Sequence, residues 1–232
     1  MILPLLLAAA TAAAAVPAPS AGRSAAAGSV VRSREWIVRR GKDREEEFKG
    51  DVRYDAAGTH LAADWALYRH AQRVWRARGR VVLRRELSDG ETVTARGGSA
   101  RYDEVSRSGT LMPPAGGLVT FTREQPGAAP DQGEGLRLDW KDERTATLSG
   151  RARVWGPRLE AWADSATYER AGRRLVLRGG RPVLKKVEGE WTTALKADEV
   201  EATESPRRIV ARGGVTGWLF FADPSRIKEL AK

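Results

Sequence analysis

The sequence predicts an all-β fold assembled from repeated strand-turn-strand units, and three observations carry that prediction. Short apolar stretches alternate with small or charged residues at period two, the joints between them are rich in Gly, Asp, Ser and Pro, and the same two motifs return in order along the chain. Few segments show the 3.6-residue period of a helix. The best-formed unit is LEAWADSATYERAGRRLVLRGG (residues 159–180): a strand of small and polar residues, a turn, and an apolar strand closed by a glycine pair.

Taken in order, residues 1–22 are apolar and uncharged as far as Gly22 and contain A-x-A sites, which predicts an export signal; a retained membrane anchor is the alternative. Residues 23–45 read as a spacer and lead-in, Ala/Ser/Gly-rich up to Val31, with Trp36, Ile37 and Val38 entering the sheet. From residue 46 to 221 two anchors recur. The first is a glycine followed by a short apolar strand, at Gly50, Gly79, Gly117, Gly150, Gly180 and Gly214, about 30 to 38 residues apart. The second is A-D-x-A-x-Y at residues 63–68 and 163–168, with looser copies at 98–102, 136–140 and 197–201.

Alternation places Leu61, Ala63, Trp65 and Leu67 on one face, with Asp64 and Tyr68 on the other. Val81 and Leu83 are flanked by Arg80 and Arg84, and Ala152 and Val154 alternate with Arg151 and Arg153. Residues 126–135 (PGAAPDQGEG) read as a long loop and 112–117 (MPPAGG) as a break, while Pro182, which lacks a ladder donor, belongs at an edge or bulge. Residues 222–232 form a tail in which Asp223-Pro224 has the pattern of a short helix start.

The composition bounds the chemistry. A chain of 232 residues without cysteine has no disulfide framework, thiolate metal site or acylated cysteine. The net charge of +10, carried mostly by arginine, suits polyanionic partners or reflects only a GC-rich coding bias. Export removes nucleic acid from those partners. His60 and His70 lack metal-ligand spacing, no nucleophile motif accompanies them, and Asp64, Asp139, Asp164 and Asp198 recur in unit after unit, which argues for a framework role. The reading is therefore of a non-enzyme without cofactor or metal.

Residues 50–68, 77–83, 159–180 and 195–215 resemble the OstA-like family of periplasmic lipopolysaccharide-transport proteins typified by LptA, with LptC-like, inner-membrane-tethered members as the second choice. The resemblance covers about residues 46–221 and implies a twisted, elongated β-jelly roll of two facing antiparallel sheets, open at both ends. It further implies a lipid carrier that holds lipopolysaccharide or a related anionic lipid between the sheets. Such a carrier joins other jelly-roll components, or its own copies, by pairing of edge strands. A structural envelope repeat protein with a filled core is the reading from another class.

On the carrier reading, alternation gives the trough as Leu61, Trp65, Leu67, Trp75, Val81, Leu83, Val119, Phe121, Leu136, Leu138, Val154, Leu159, Leu175 and Leu177, a set that equally fits a closed sandwich core. Arg76, Arg78, Arg151, Arg153, Arg178, Lys185 and Lys186, with Arg80, Arg84 and Arg181 beside them, are the candidates for a phosphorylated headgroup, or else ordinary solvated faces. Trp155, Trp162 and Trp218 are assigned to the core by default. Residues 50–54 and 215–221 are the expected pairing edges.

Overall fold

Period-two alternation becomes antiparallel pairing throughout. The computed structural model describes residues 28–41, 43–87, 90–142, 144–204 and 207–221. Among them no helix occurs. The expected signal segment and the expected tail helix lie outside the described residues.

The chain begins with β1 (Val30–Arg32), β2 (Glu35–Arg39), β3 (Glu45–Ala56), β4 (Thr59–Arg69), β5 (Val74–Glu86) and β6 (Thr92–Asp103). Then come β7 (Ser108–Met112), β8 (Val119–Glu124), β9 (Asp131–Gly135), β10 (Arg137–Lys141), β11 (Thr145–Trp155) and β12 (Leu159–Glu169). The last are β13 (Arg174–Arg178), β14 (Val183–Glu188), β15 (Trp191–Lys196), β16 (Glu199–Glu204), β17 (Arg207–Arg212) and β18 (Thr216–Phe221).

The pairings resolve into two facing sheets. The first runs β2, β3, β4, β5, β6, β7, β10, β11, β12, β13, β16, β17, using residues 45–49, 65–69, 74–78, 99–103, 145–149 and 165–169 of the long strands. The second runs β1, β3, β4, β5, β6, β8, β9, β11, β12, β14, β15, β18, using residues 52–56, 59–63, 81–86, 92–97, 152–155 and 159–163. Six long strands thus pass through both sheets, and elsewhere two short strands hand over from one sheet to the other. The result is a jelly roll folded along one crease.

The crease is written in the two sequence anchors. Register shifts fall between Lys49 and Val52, Ala62 and Trp65, Arg78 and Val81, and Ser149 and Ala152, marking β-bulges on neighbouring strands. At Gly79 φ is +73° and at the following Arg80 it is +46°, a left-handed pair that turns the strand. Asp64 on the adjacent strand packs directly on Gly79 and takes the Arg80 guanidinium, whose Nε lies 2.9 Å from Oδ1. That pairing holds the Asp64 carboxyl below its usual pKa. Asp164 stands in the same way over Gly179 and Gly180, and Asp198 over Gly213. Recurring Asp64, Asp164 and Asp198 are therefore crease residues. Asp139 is not their equivalent: it accepts from Thr110 and Arg137 on the outer face, and Leu136 occupies the crease over Gly150.

Gly79→Ala places a methyl group against Asp64 in a left-handed conformation. The expected loss is about 2–4 kcal/mol, read as a lowered urea midpoint; a loss below about 0.5 kcal/mol would show that the crease does not depend on this contact.

Three expectations about elements change. β1 lies within the expected spacer and pairs with residues 53–55. Residues 131–135 of the expected long loop are strand β9, held between β8 and β11. Pro182 is fully buried in the crease connection between β13 and β14, where no ladder donor is required and its carbonyl accepts from the Ala197 amide at 3.2 Å.

Candidate functional site

The face between the sheets is apolar from one end to the other. In the first sheet the inner positions are the last A and Y of the A-D-x-A-x-Y motif and their counterparts: Ala66 and Tyr68, Ala100 and Tyr102, Leu138 and Trp140, Ala166 and Tyr168. An aromatic therefore recurs at one level of the inner wall. From the second sheet Leu61, Val81, Leu83, Val93, Val119, Phe121, Val154 and Leu184 face them, all but Leu61 fully buried. Large side chains lie over glycines of neighbouring strands: Trp140 covers Gly109 and Phe121 covers Gly133, so the strands pack closely and the rings fill the gap.

Of the expected trough residues, Val81, Leu83, Val119, Phe121, Leu138, Val154, Leu175 and Leu177 are buried in this common core, with Leu61, Trp75 and Leu159 packed against it. Three lie elsewhere. Trp65 and Leu67 point to the outer face of the first sheet, because the bulge at Asp64 shifts the alternation by one residue; by the same shift Tyr68 points inward. Leu136 sits at the crease and is 37% exposed. Sequence reasoning missed Tyr54, Tyr102 and Trp140; the signal was the motif's final aromatic, read on the wrong face.

One point of the interior is an apolar cavity of about 30 Å³ lined by Tyr54, Leu61, Trp75, Leu83, Tyr102 and Trp140. That is space for a water or two, not for an acyl chain. Around it Trp75 stacks on Phe48 at 6.2 Å and on Tyr68 at 4.6 Å, and meets Tyr54 at 5.6 Å across the gap between sheets.

Polar groups gather where the sheets end away from the crease. On the first sheet Glu104 accepts from Tyr68 and from the Trp75 indole, each at 3.0 Å, and His70 meets Glu46 at 2.8 Å. Burial, followed by the Glu104 charge, pushes the Tyr68 phenol up to about 12. On the second sheet Arg123 and Glu91 form a buried, bidentate pair, with Asp131 3.9 Å away.

Among the described residues nothing covers either end of the interior. At the N-terminal end Trp36 stacks on Phe48 at 5.9 Å yet is 62% exposed. At the C-terminal end Trp191 and Leu219 continue the inner face and are exposed. The strands that flank these ends are β1 and β2 at one and β17 and β18 at the other, each pairing on one side only among the described residues. The expected N-terminal edge at residues 50–54 is instead interior to the sheets: Arg53 and Tyr54 pair with β1 and with β4. The expected C-terminal edge at residues 215–221 contains β18, which among the described residues pairs with β15 alone.

The expected headgroup residues do not converge. Arg76, Arg78 and Arg178 lie on the outer face of the first sheet, Arg153 and Lys185 on that of the second, and Arg151 at the crease. Arg153 is held by Glu160 and Glu134 over Trp155 and Trp162, Arg178 by Glu199, and Lys186, the one member on the inner side, by Glu188. Trp155, Trp162 and Trp218 belong to the outer face of the second sheet rather than the core. No protein-family model matches the chain, and no curated protein matches it.

Proposed function

We propose that this chain is a periplasmic lipid-binding element of the lipopolysaccharide export bridge. It would take acyl chains between its two sheets and pass them along an axis continued by neighbouring jelly rolls. The observation that carries this reading is the largely apolar inner face, which forms two buried clusters joined by Trp75 and which, among the described residues, is exposed at both ends beside strands that pair on one side only. Exposed edges of this kind serve strand addition, so a partner or a second copy would extend both sheets and the apolar interior together.

An acyl chain held there gains about 0.8 kcal/mol per buried methylene. It must displace side chains that now fill the space, beginning at the cavity beside Trp75 and Trp140. The small size of that cavity favours a second reading, a structural envelope protein with a permanently filled core.

Extraction of the purified protein, followed by uptake of labelled lipopolysaccharide, separates the two. The carrier is expected to release bound lipid and to take up the label at saturating stoichiometry. Protein that carries no lipid and takes up none would leave the structural reading standing.

A further inference from the structure

Outer-face arginines of this protein are, as a rule, answered by carboxylates. Arg178 and Arg212 share Glu199, Arg174 meets Glu169 and Glu201, Arg137 meets Asp139, and Arg39 meets Glu47. Among the described residues several are not, Arg53 and Arg96 on the second sheet included, and one group of these is set face to face. On the outer face of the first sheet Arg76 stands directly opposite Arg101 on the neighbouring strand, and Arg78 follows on the same face two residues along. Like charges directly opposite one another across a strand pair are destabilising.

No carboxylate pairs with Arg76 or Arg78 among the described residues, and Arg101 has the half-buried Asp103 at 3.5 Å. Two acids of the same cross-strand row are already engaged. Glu47 accepts from the Trp65 indole at 2.7 Å and from Arg39, which hold its carboxyl below the usual pKa, and Asp139 accepts from Thr110 and Arg137. The three guanidiniums edge a concavity of about 430 Å³ whose other walls include Trp65, Leu67 and Thr110. Arg78 is fixed in place by stacking over the Trp65 ring at 4.0 Å. A second, hydroxyl-rich concavity of about 400 Å³, containing Ser108, Thr145 and Thr147, also has Arg101 and Thr110 in its wall.

We propose that Arg76, Arg78 and Arg101 form a binding site for a phosphomonoester, with the adjoining serines and threonines receiving the hydroxyls of a sugar that bears it. A phosphate between Arg76 and Arg101 relieves their repulsion and accepts the forked, charge-assisted bonds that guanidiniums make best. The hydroxylated body then extends over Thr110 toward Thr145 and Thr147. The ligand is a sugar phosphate, free in solution or at the head of a lipid. This site lies outside the interior and does not rest on lipid being carried there.

The test titrates the full chain with glucosamine 1-phosphate, followed by backbone amide NMR shifts, with unphosphorylated glucosamine as the comparison. A second arm uses detergent micelles containing a phosphorylated or a dephosphorylated glycolipid. Shifts are expected to cluster on β5, β6 and β7 with the phosphorylated ligand. Arg76→Gln and Arg101→Gln should each weaken its binding about tenfold or more, whereas Arg84→Gln, on the second sheet beside Glu86, should not. Binding by the soluble ligand identifies a free sugar phosphate as sufficient, and binding confined to the phosphorylated micelles identifies the lipid headgroup. Thermal melts confirm that the variants fold, since these side chains lie on the surface. Absence of phosphate-dependent shifts in both arms, or equal weakening by Arg84→Gln, overturns the site. Because the soluble ligand has no acyl chain, its failure to bind leaves the interior carrier reading untouched.

Discussion

Trp140→Ala is expected to lower the stability of the protein by about 3–5 kcal/mol, the range for removal of a large buried aromatic. The ring is 4% exposed, covers Gly109 on the adjacent strand, and forms one wall of the interior cavity. With it gone, Gly109 offers no side chain to close the gap, so the vacated volume joins the existing cavity instead of collapsing. Urea unfolding followed by fluorescence of the remaining tryptophans measures the loss. Repeating the measurement with a saturating medium-chain fatty acid adds a functional arm. An interior suited to acyl chains should recover part of the lost stability, because a ligand that binds only the folded state raises its unfolding free energy. A loss under about 1 kcal/mol would mean that the ring is not part of the packed interior.

Glu91→Gln is the second large effect. Arg123 is 5% exposed, and its two bonds to Glu91 include one of 2.8 Å from Nε. Neutralising the carboxylate leaves a buried guanidinium whose remaining ion-pair partner among the described residues is Asp131, at 3.9 Å. Breaking one side of such a pair costs about 3–5 kcal/mol, although the intact pair itself is worth little against an apolar replacement. The double variant Glu91→Leu/Arg123→Met should therefore be close to wild type, while Glu91→Gln should be clearly less stable. Equal stability of the single variant and the wild type would show that the pair is solvated in solution.

Strand content and most of the inner face were legible because alternation is a local property. Leu61 and Leu83 stand opposite each other on β4 and β5 as period two requires, and Leu175 and Leu177 share the inner side of β13. The errors concentrate at the crease. A count of two cannot register the extra residue of a bulge, so everything on β4 beyond Asp64 was assigned to the wrong face, Trp65 and Leu67 outward in fact and Tyr68 inward. The glycine and aspartate anchors were visible as repeats, but their contact is made between strands, and a single sequence holds no direct record of it. The isolated arginine group was half visible: Arg76 and Arg78 stood out, whereas Arg101 joins them only through the register of β5 with β6.

The bulges also set how the molecule can deform. Asp–Gly contacts pin the fold line at Gly79, at Gly179 and Gly180 and at Gly213, while between them Leu136 packs on Gly150, so the line is a hinge with charged knuckles towards both ends and an apolar one between.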